Sequence, residues 1–243
     1  MSIDPSFIYA LIGFFLASYA VIGHDSVQTL GTFIASNNRV FKWYWLWLAA
    51  SAVLIFTMVY GWTVNDGDIS YGRLDKIPPV EIQWYHAAAP AVLVFLTRFG
   101  IPVSTTFLVL SVFASTVVLE KMLVKSVVGY GVAAITAYAL WVIMSKFINE
   151  KFNTVKKGTR KYWRVGQWCA TGFLWFSWLS HDMANIAVYL PRQLPFELLI
   201  GAIAVLVFWL GVIFKTNGGK IQKIVLEKTG SRFMRSATII DLI

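Results

Sequence analysis

The chain has 243 residues, of which 58% are hydrophobic and 14% charged. Its mean hydropathy of +0.65 excludes an ordinary soluble domain, in which about a quarter of residues are charged. The formal charge of +9 gathers in loops between apolar stretches, as the positive-inside effect requires, so it marks a cytoplasmic face and no nucleic-acid partner.

The apolar stretches have the length of helical spans, roughly 17 to 25 residues, and not the roughly ten-residue alternation of barrel strands. The fold class read from this is an all-α, polytopic integral membrane protein. Cys169 is the lone cysteine, which rules out an intrachain disulfide. Asp4 and the lack of Lys or Arg before the first apolar run argue against a cleavable signal peptide, so the first span is expected to be retained.

In chain order, Phe7 to Ile22 meets His24-Asp25, continues through LGTFIAS and leaves at Arg39 and Lys42. This reads as one span broken in the middle. Trp43 to Tyr60 is the next span, its tryptophans suited to an interfacial aromatic belt. Gly61 to Trp84 is a polar loop with turn signals at NDGD and IPP. Tyr85 to Thr97 and Pro102 to Leu119 are short apolar segments on either side of Arg98 to Ser104, a stretch that is either a loop or a re-entrant tip. Ser126 to Ile148 and Gln167 to Leu190 follow, the latter carrying His181-Asp182, and then Leu194 to Phe214. The closing ATIIDLI resembles the start of another hydrophobic element.

If each segment crosses once and the N-terminus is outside, 16 Lys/Arg are cytoplasmic and 5 external. That orientation makes the first His-Asp span run inward and the second outward, an inverted-topology repeat. VLIF at Val53 to Phe56 recurs as VLVF at Val205 to Phe208, and Asn65-Asp66-Gly67 recurs as Asn217-Gly218-Gly219, both offset by 152. The expected organisation is a first repeat half over 1–145, a basic cytoplasmic loop over 146–166, and the start of a second half over 167–243.

Two of the three histidines, His24 and His181, stand directly before an aspartate inside apolar sequence. A carboxylate at membrane depth costs at least about 2.5 to 3.5 kcal/mol on insertion scales, so Asp25 and Asp182 are candidate functional residues. The plainer reading places each Asp at a helix end or cap. GIPVSTT, Gly100 to Thr106, has the make-up of an anion-binding helix start, with Pro102 in the first turn and Ser104, Thr105 and Thr106 beside unpaired N–H groups. Caps and interhelical bonds are the ordinary use of such hydroxyls. A zinc site from His24, Asp25, His181 and Asp182 has suitable ligand types. A metal-dependent phosphohydrolase needs further His and Asp ligands, and only His86 is left, so no enzyme is expected.

GHDSVQTLGT, HDMAN and GIPVSTT together resemble the signature segments of the inorganic phosphate transporter (PiT) family, which carries G-A-N-D-V-A-N-like and P-[VI]-S-T-T motifs in two inverted halves. The resemblance covers about a fifth of the chain. It implies cation-coupled phosphate symport by alternating access, with broken helices around a midplane site and no cofactor besides the coupling cation. By position, Asp25 and Asp182, with His24 and His181 beside them, hold the cation, while Ser104, Thr105, Thr106, Gln28 and Asn185 receive phosphate. His stands where the family has Asn at 24 and 181, and Gln at 28, so the coupling cation is H⁺ or Na⁺. A second P-S-T-T segment is expected near 256 to 261, past Ile243, which implies a longer chain or an oligomer that shares its site. The alternative function is a membrane-embedded phosphate- or metal-binding subunit without transport. The expected location is the cell's inner (plasma) membrane, in contact with lipid.

Overall fold

The computed structural model describes residues 4–99, 101, 103–148 and 160–218. They form seven helices and no strand. These are α1 (Pro5–Asn37), α2 (Trp43–Val64), α3 (Trp84–Phe99), α4 (Thr105–Leu110), α5 (Thr116–Ile148), α6 (Arg160–Ala187) and α7 (Phe196–Lys215). Four of them, α1, α2, α5 and α7, are long and apolar enough to cross a membrane.

Helix α1 starts where the sequence directs it: Asp4 accepts from the Ser6 N–H, and Pro5 fills the first turn. It then runs unbroken for 33 residues through His24-Asp25, and α6 is equally continuous through His181-Asp182. The expected break in these helices is therefore corrected. Ser26 and Thr29 bond back to the carbonyls of Ile22 and Asp25, so their hydroxyls are satisfied within a continuous helix. The polar side chains find partners on neighbouring elements, so the backbone need not open to supply them.

The interruption falls elsewhere. Thr97 lies against Gly23 and Ile82 bonds to Ser6, so α3 runs alongside and parallel to the first half of α1. The chain then reverses, and Phe113, just past α4, stacks on His86 near the start of α3, with ring centroids 4.5 Å apart. α3 and α4 thus form a hairpin that enters and leaves on the same side, its turn at the depth of His24. The two segments at 85–97 and 102–119, expected as separate crossings, fold back on each other in this one hairpin. Arg98, counted as cytoplasmic, sits instead at the hairpin turn. Because the two segments reverse together, the relative direction of α1 and α6 does not change.

Contacts at three levels fix that direction. An added Cβ on Gly13 would run into the Tyr189 ring, Asp25 meets Asp182, and Asn37 bonds to Gln167 at 3.0 Å. α1 and α6 are antiparallel along their length. α7 lies parallel to α1, with Tyr19 against Trp209 and Gly23 near Ile213. The extensive packings in this four-helix core join α1 or α2 to α6 or α7.

Indole N–H groups lock these packings. Trp47 donates to the Val207 carbonyl at 3.0 Å, Trp175 to Ala50 at 3.2 Å and Trp62 to Leu194 at 2.7 Å. Trp47 is therefore a cross-helix strut, whereas Trp43 and Trp45 remain exposed as a lipid belt requires. Helices α2 and α7 end alike: Asp66-Gly67 and Asn217-Gly218 are both left-handed, and their glycine N–H groups reach back to Trp62 and Ile213. The matching offset is 151, one less than sequence alignment gives.

α5 meets the core near its start through Val118 and Met122, and none of its apolar window is buried. α5 continues to Ile148 and α6 begins at Arg160, so helix takes both ends of the loop expected over 146–166. Its middle, like ATIIDLI, lies outside the described residues.

Candidate functional site

Asp25 from the middle of α1 and Asp182 from α6 lie within carboxyl-to-carboxyl hydrogen-bond reach, and both are buried. Thr105, the first residue of α4, donates its hydroxyl to Asp25 Oδ2 at 2.8 Å. Asn185, one turn after Asp182, donates to Thr106 Oγ1 at 3.1 Å and to Thr105 Oγ1 at 3.5 Å. Three elements thus meet at one point. The i, i+3 spacing of Asp182 and Asn185 puts both on the same face of α6.

Two negative charges about 4 Å apart repel by about 4 kcal/mol at an effective dielectric of about 20. Among the described residues no lysine or arginine forms an ion pair with either carboxyl. A proton or a cation between them is what makes the pair tolerable. The groups around the pair are mainly oxygens, the two carboxyls and the Thr105 hydroxyl, with His181 Nδ1 3.4 Å from Asp182 Oδ1 and Asn185 Oδ1 buried one turn on without a protein partner. Oxygen-rich sites suit hard cations.

The structure gives the two histidines different surroundings. His24 Nε2 turns to the hairpin, 3.1 Å from the Val103 carbonyl and 3.4 Å from its nitrogen. Gln28 Nε2 lies 2.8 Å from the same ring nitrogen. His24, with Gln28 against its ring, therefore braces the turn of the hairpin. His181 lies at the edge of the pair: 44% of its side chain is exposed, and its ion-pair contact, among the described residues, is a 3.4 Å approach to Asp182. The four ligands of a zinc reading do not converge.

Of the expected phosphate hydroxyls, Ser104 is exposed and caps α4 by accepting from Phe107 N–H at 3.3 Å. Thr105 and Thr106 are engaged with Asp25 and Asn185. These residues are gathered around an acidic pair, so an anion is admitted here only with a cation already in place.

Sequence reading missed a second polar cluster, where α1 ends and α6 begins. Asn37 and Gln167 are fully buried. Asn37 donates to Gln167 Oε1 at 3.0 Å, Gln167 donates to Ser36 Oγ at 2.6 Å, and Trp168 donates to Asn37 Oδ1 at 3.3 Å. The residues sit at helix ends beside basic loops, where polar side chains look like ordinary loop chemistry. A stripe was visible, however: Ser18, Asp25, Thr29, Thr32 and Ser36 are spaced 7, 4, 3 and 4, one face of α1. Compared with protein-family models, curated proteins and solved structures, the chain matches none.

Proposed function

We propose that this chain carries inorganic phosphate across the inner (plasma) membrane together with a cation, H⁺ or Na⁺, by alternating access. The observation that supports it best is the meeting of Asp25 and Asp182, from antiparallel helices, with Thr105 of a re-entrant hairpin. Buried carboxyls with no lysine or arginine ion-paired to them among the described residues are a place to load a cation. The loaded cation then offsets the charge of an incoming anion, so the two move together. Phosphate as cargo rests on the resemblance of GHDSVQTLGT, HDMAN and GIPVSTT to PiT segments.

The antiparallel α1 and α6, the packings that all cross between α1–α2 and α6–α7, and the matching caps of α2 and α7 support an inverted repeat. Arg39 and Lys42 just past α1, and Arg160, Lys161 and Arg164 at the start of the antiparallel α6, share the Asn37 side, which supports an outside N-terminus.

The test is radiolabelled phosphate uptake into proteoliposomes under a Na⁺ gradient and, separately, a pH gradient. Asp25→Asn and Asp182→Asn each abolish it. Uptake retained in both variants refutes the site, and phosphate-dependent thermal stabilisation without flux reduces the protein to a binding subunit.

A further inference from the structure

The acidic pair lies midway along a seam between α6 and a body formed by α1, α3 and α4. Beyond it, toward the Tyr189 end, the seam is closed by aromatic rings. Tyr189 fits against the backbone at Gly13, where a Cβ would collide with it, and its hydroxyl donates to the His86 carbonyl at 2.8 Å. Its ring also meets Phe113 edge-on, with centroids 5.3 Å apart. All three partners belong to the α1–α3–α4 body or follow directly from it. Toward the other end, the seam is closed by the Asn37–Gln167–Ser36 hydrogen bonds.

Between the two closures α1 carries polar residues at Asp25, Thr29, Thr32 and Ser36, with Ser18 two turns before Asp25 beyond the buried Val21 and Ile22. Ser18 Oγ is buried without a protein partner, at a depth where an unmatched hydroxyl is costly in a dry seam. On the opposing helix, Gln167, Thr171, Asp182 and Asn185 are all buried. A seam built for packing alone has no use for this many buried polar groups.

We propose that the α1/α6 seam is the path by which the cation reaches and leaves the acidic pair, with Tyr189 as its outer gate and the Asn37–Gln167 pair as its inner gate. This rests on the transport reading and adds the route. The gates differ in chemistry. The outer one opens by withdrawing a ring from Gly13 and breaking one hydrogen bond, the inner one by parting an amide pair. Each can yield while the other holds, which alternating access demands.

The experiment uses two cysteine reporters in the full chain, Ser18→Cys and Thr29→Cys. Ser18 lies about 7.5 Å from Gly13 along the helix, and Thr29 about 6 Å past Asp25 on the other side. A membrane-impermeant thiol reagent is added to detergent-solubilised protein, and labelling is read per site by peptide mass. Native Cys169, exposed, is the internal standard. Tyr189→Phe raises the labelling rate of Ser18→Cys roughly fivefold, the shift expected for one lost hydrogen bond, and leaves Thr29→Cys unchanged. Asn37→Ala does the reverse, and Gln167→Met, which cuts the same pair while keeping side-chain length, reports if Asn37→Ala fails to fold. Any other pattern, with both reporters or neither responding to a variant, overturns the two-gate path. No substrate is needed, so labelling in the expected pattern without phosphate uptake keeps the path and removes phosphate. Uptake with the wrong pattern keeps transport and moves the path.

Discussion

Thr105 donates its hydroxyl to Asp25 across 80 residues of sequence, tying the first residue of the hairpin's return helix to the centre of α1. This one bond makes the hairpin part of the acidic site and gives the site a third wall.

Removing it separates cation affinity from fold. A hydrogen bond to a charged group contributes about 1.5 to 3 kcal/mol. In Thr105→Val the cation concentration for half-maximal phosphate uptake rises roughly tenfold or more by the same scale, whereas Thr105→Ser stays near the parent. Uptake measured against a series of cation concentrations decides it, and a Val variant with unchanged cation dependence removes Thr105 from the site.

The two histidines, alike in sequence, part company on substitution. His181→Ala removes a half-exposed side chain whose contact with the pair is a 3.4 Å approach to Asp182, so stability shifts by about 1 kcal/mol or less and uptake persists. His24→Ala frees the hairpin turn at Val103. Amide hydrogen exchange around Val103 accelerates, and uptake falls with it. Equal effects of the two substitutions would contradict the placement of His24.

At the far end of the seam the amide pair is structural as well as gating. Gln167→Leu removes the bonds to Asn37 and Ser36, although Asn37 Nδ2 keeps the Phe33 carbonyl and Ser36 Oγ, at a cost of about 0.5 to 1.5 kcal/mol for each bond lost. Thermal unfolding in detergent shows a lowered midpoint for Gln167→Leu, while Asn38→Ala, at an exposed position, melts with the parent.

Outside the spans, Tyr71 gives a pH signature. Burial and the neighbouring Tyr60 push its phenol up to about 12, and its hydroxyl donates to the Thr57 carbonyl at 2.6 Å. The folded state therefore holds this proton more tightly than the unfolded chain, whose tyrosines titrate near 10. Its contribution is complete below about pH 10 and is lost as pH rises toward about 12. Unfolding midpoints measured across that window fall for the parent, and Tyr71→Phe removes this part of the fall.

How much was legible in the sequence differs from element to element, for physical reasons. Asp25 and Asp182 stood out because charged groups in apolar runs are costly, and cost is visible in one dimension, whereas Thr105 and Thr106 were picked out by the make-up of a helix start and Asn185 by the resemblance of HDMAN. The left-handed caps of α2 and α7 were legible through Asn, Asp and Gly. His24 and His181 were not distinguishable, since each precedes an Asp in an apolar run, and only the rotation of each helix decides which ring is buried.

The sequence by itself determined an all-helical chain with spans long and apolar enough for a membrane, and the residue types of an acidic site, because hydropathy and charge are local properties. Only the tertiary structure decided that α1 and α6 run unbroken, that Trp84–Leu110 folds back as a hairpin, and that Tyr189 and Asn37–Gln167 close the seam. Those depend on which distant group satisfies each polar atom: Thr105 for Asp25, Val103 for His24, Gln167 for Asn37. A partner 80 or 130 residues away leaves no mark in the local pattern.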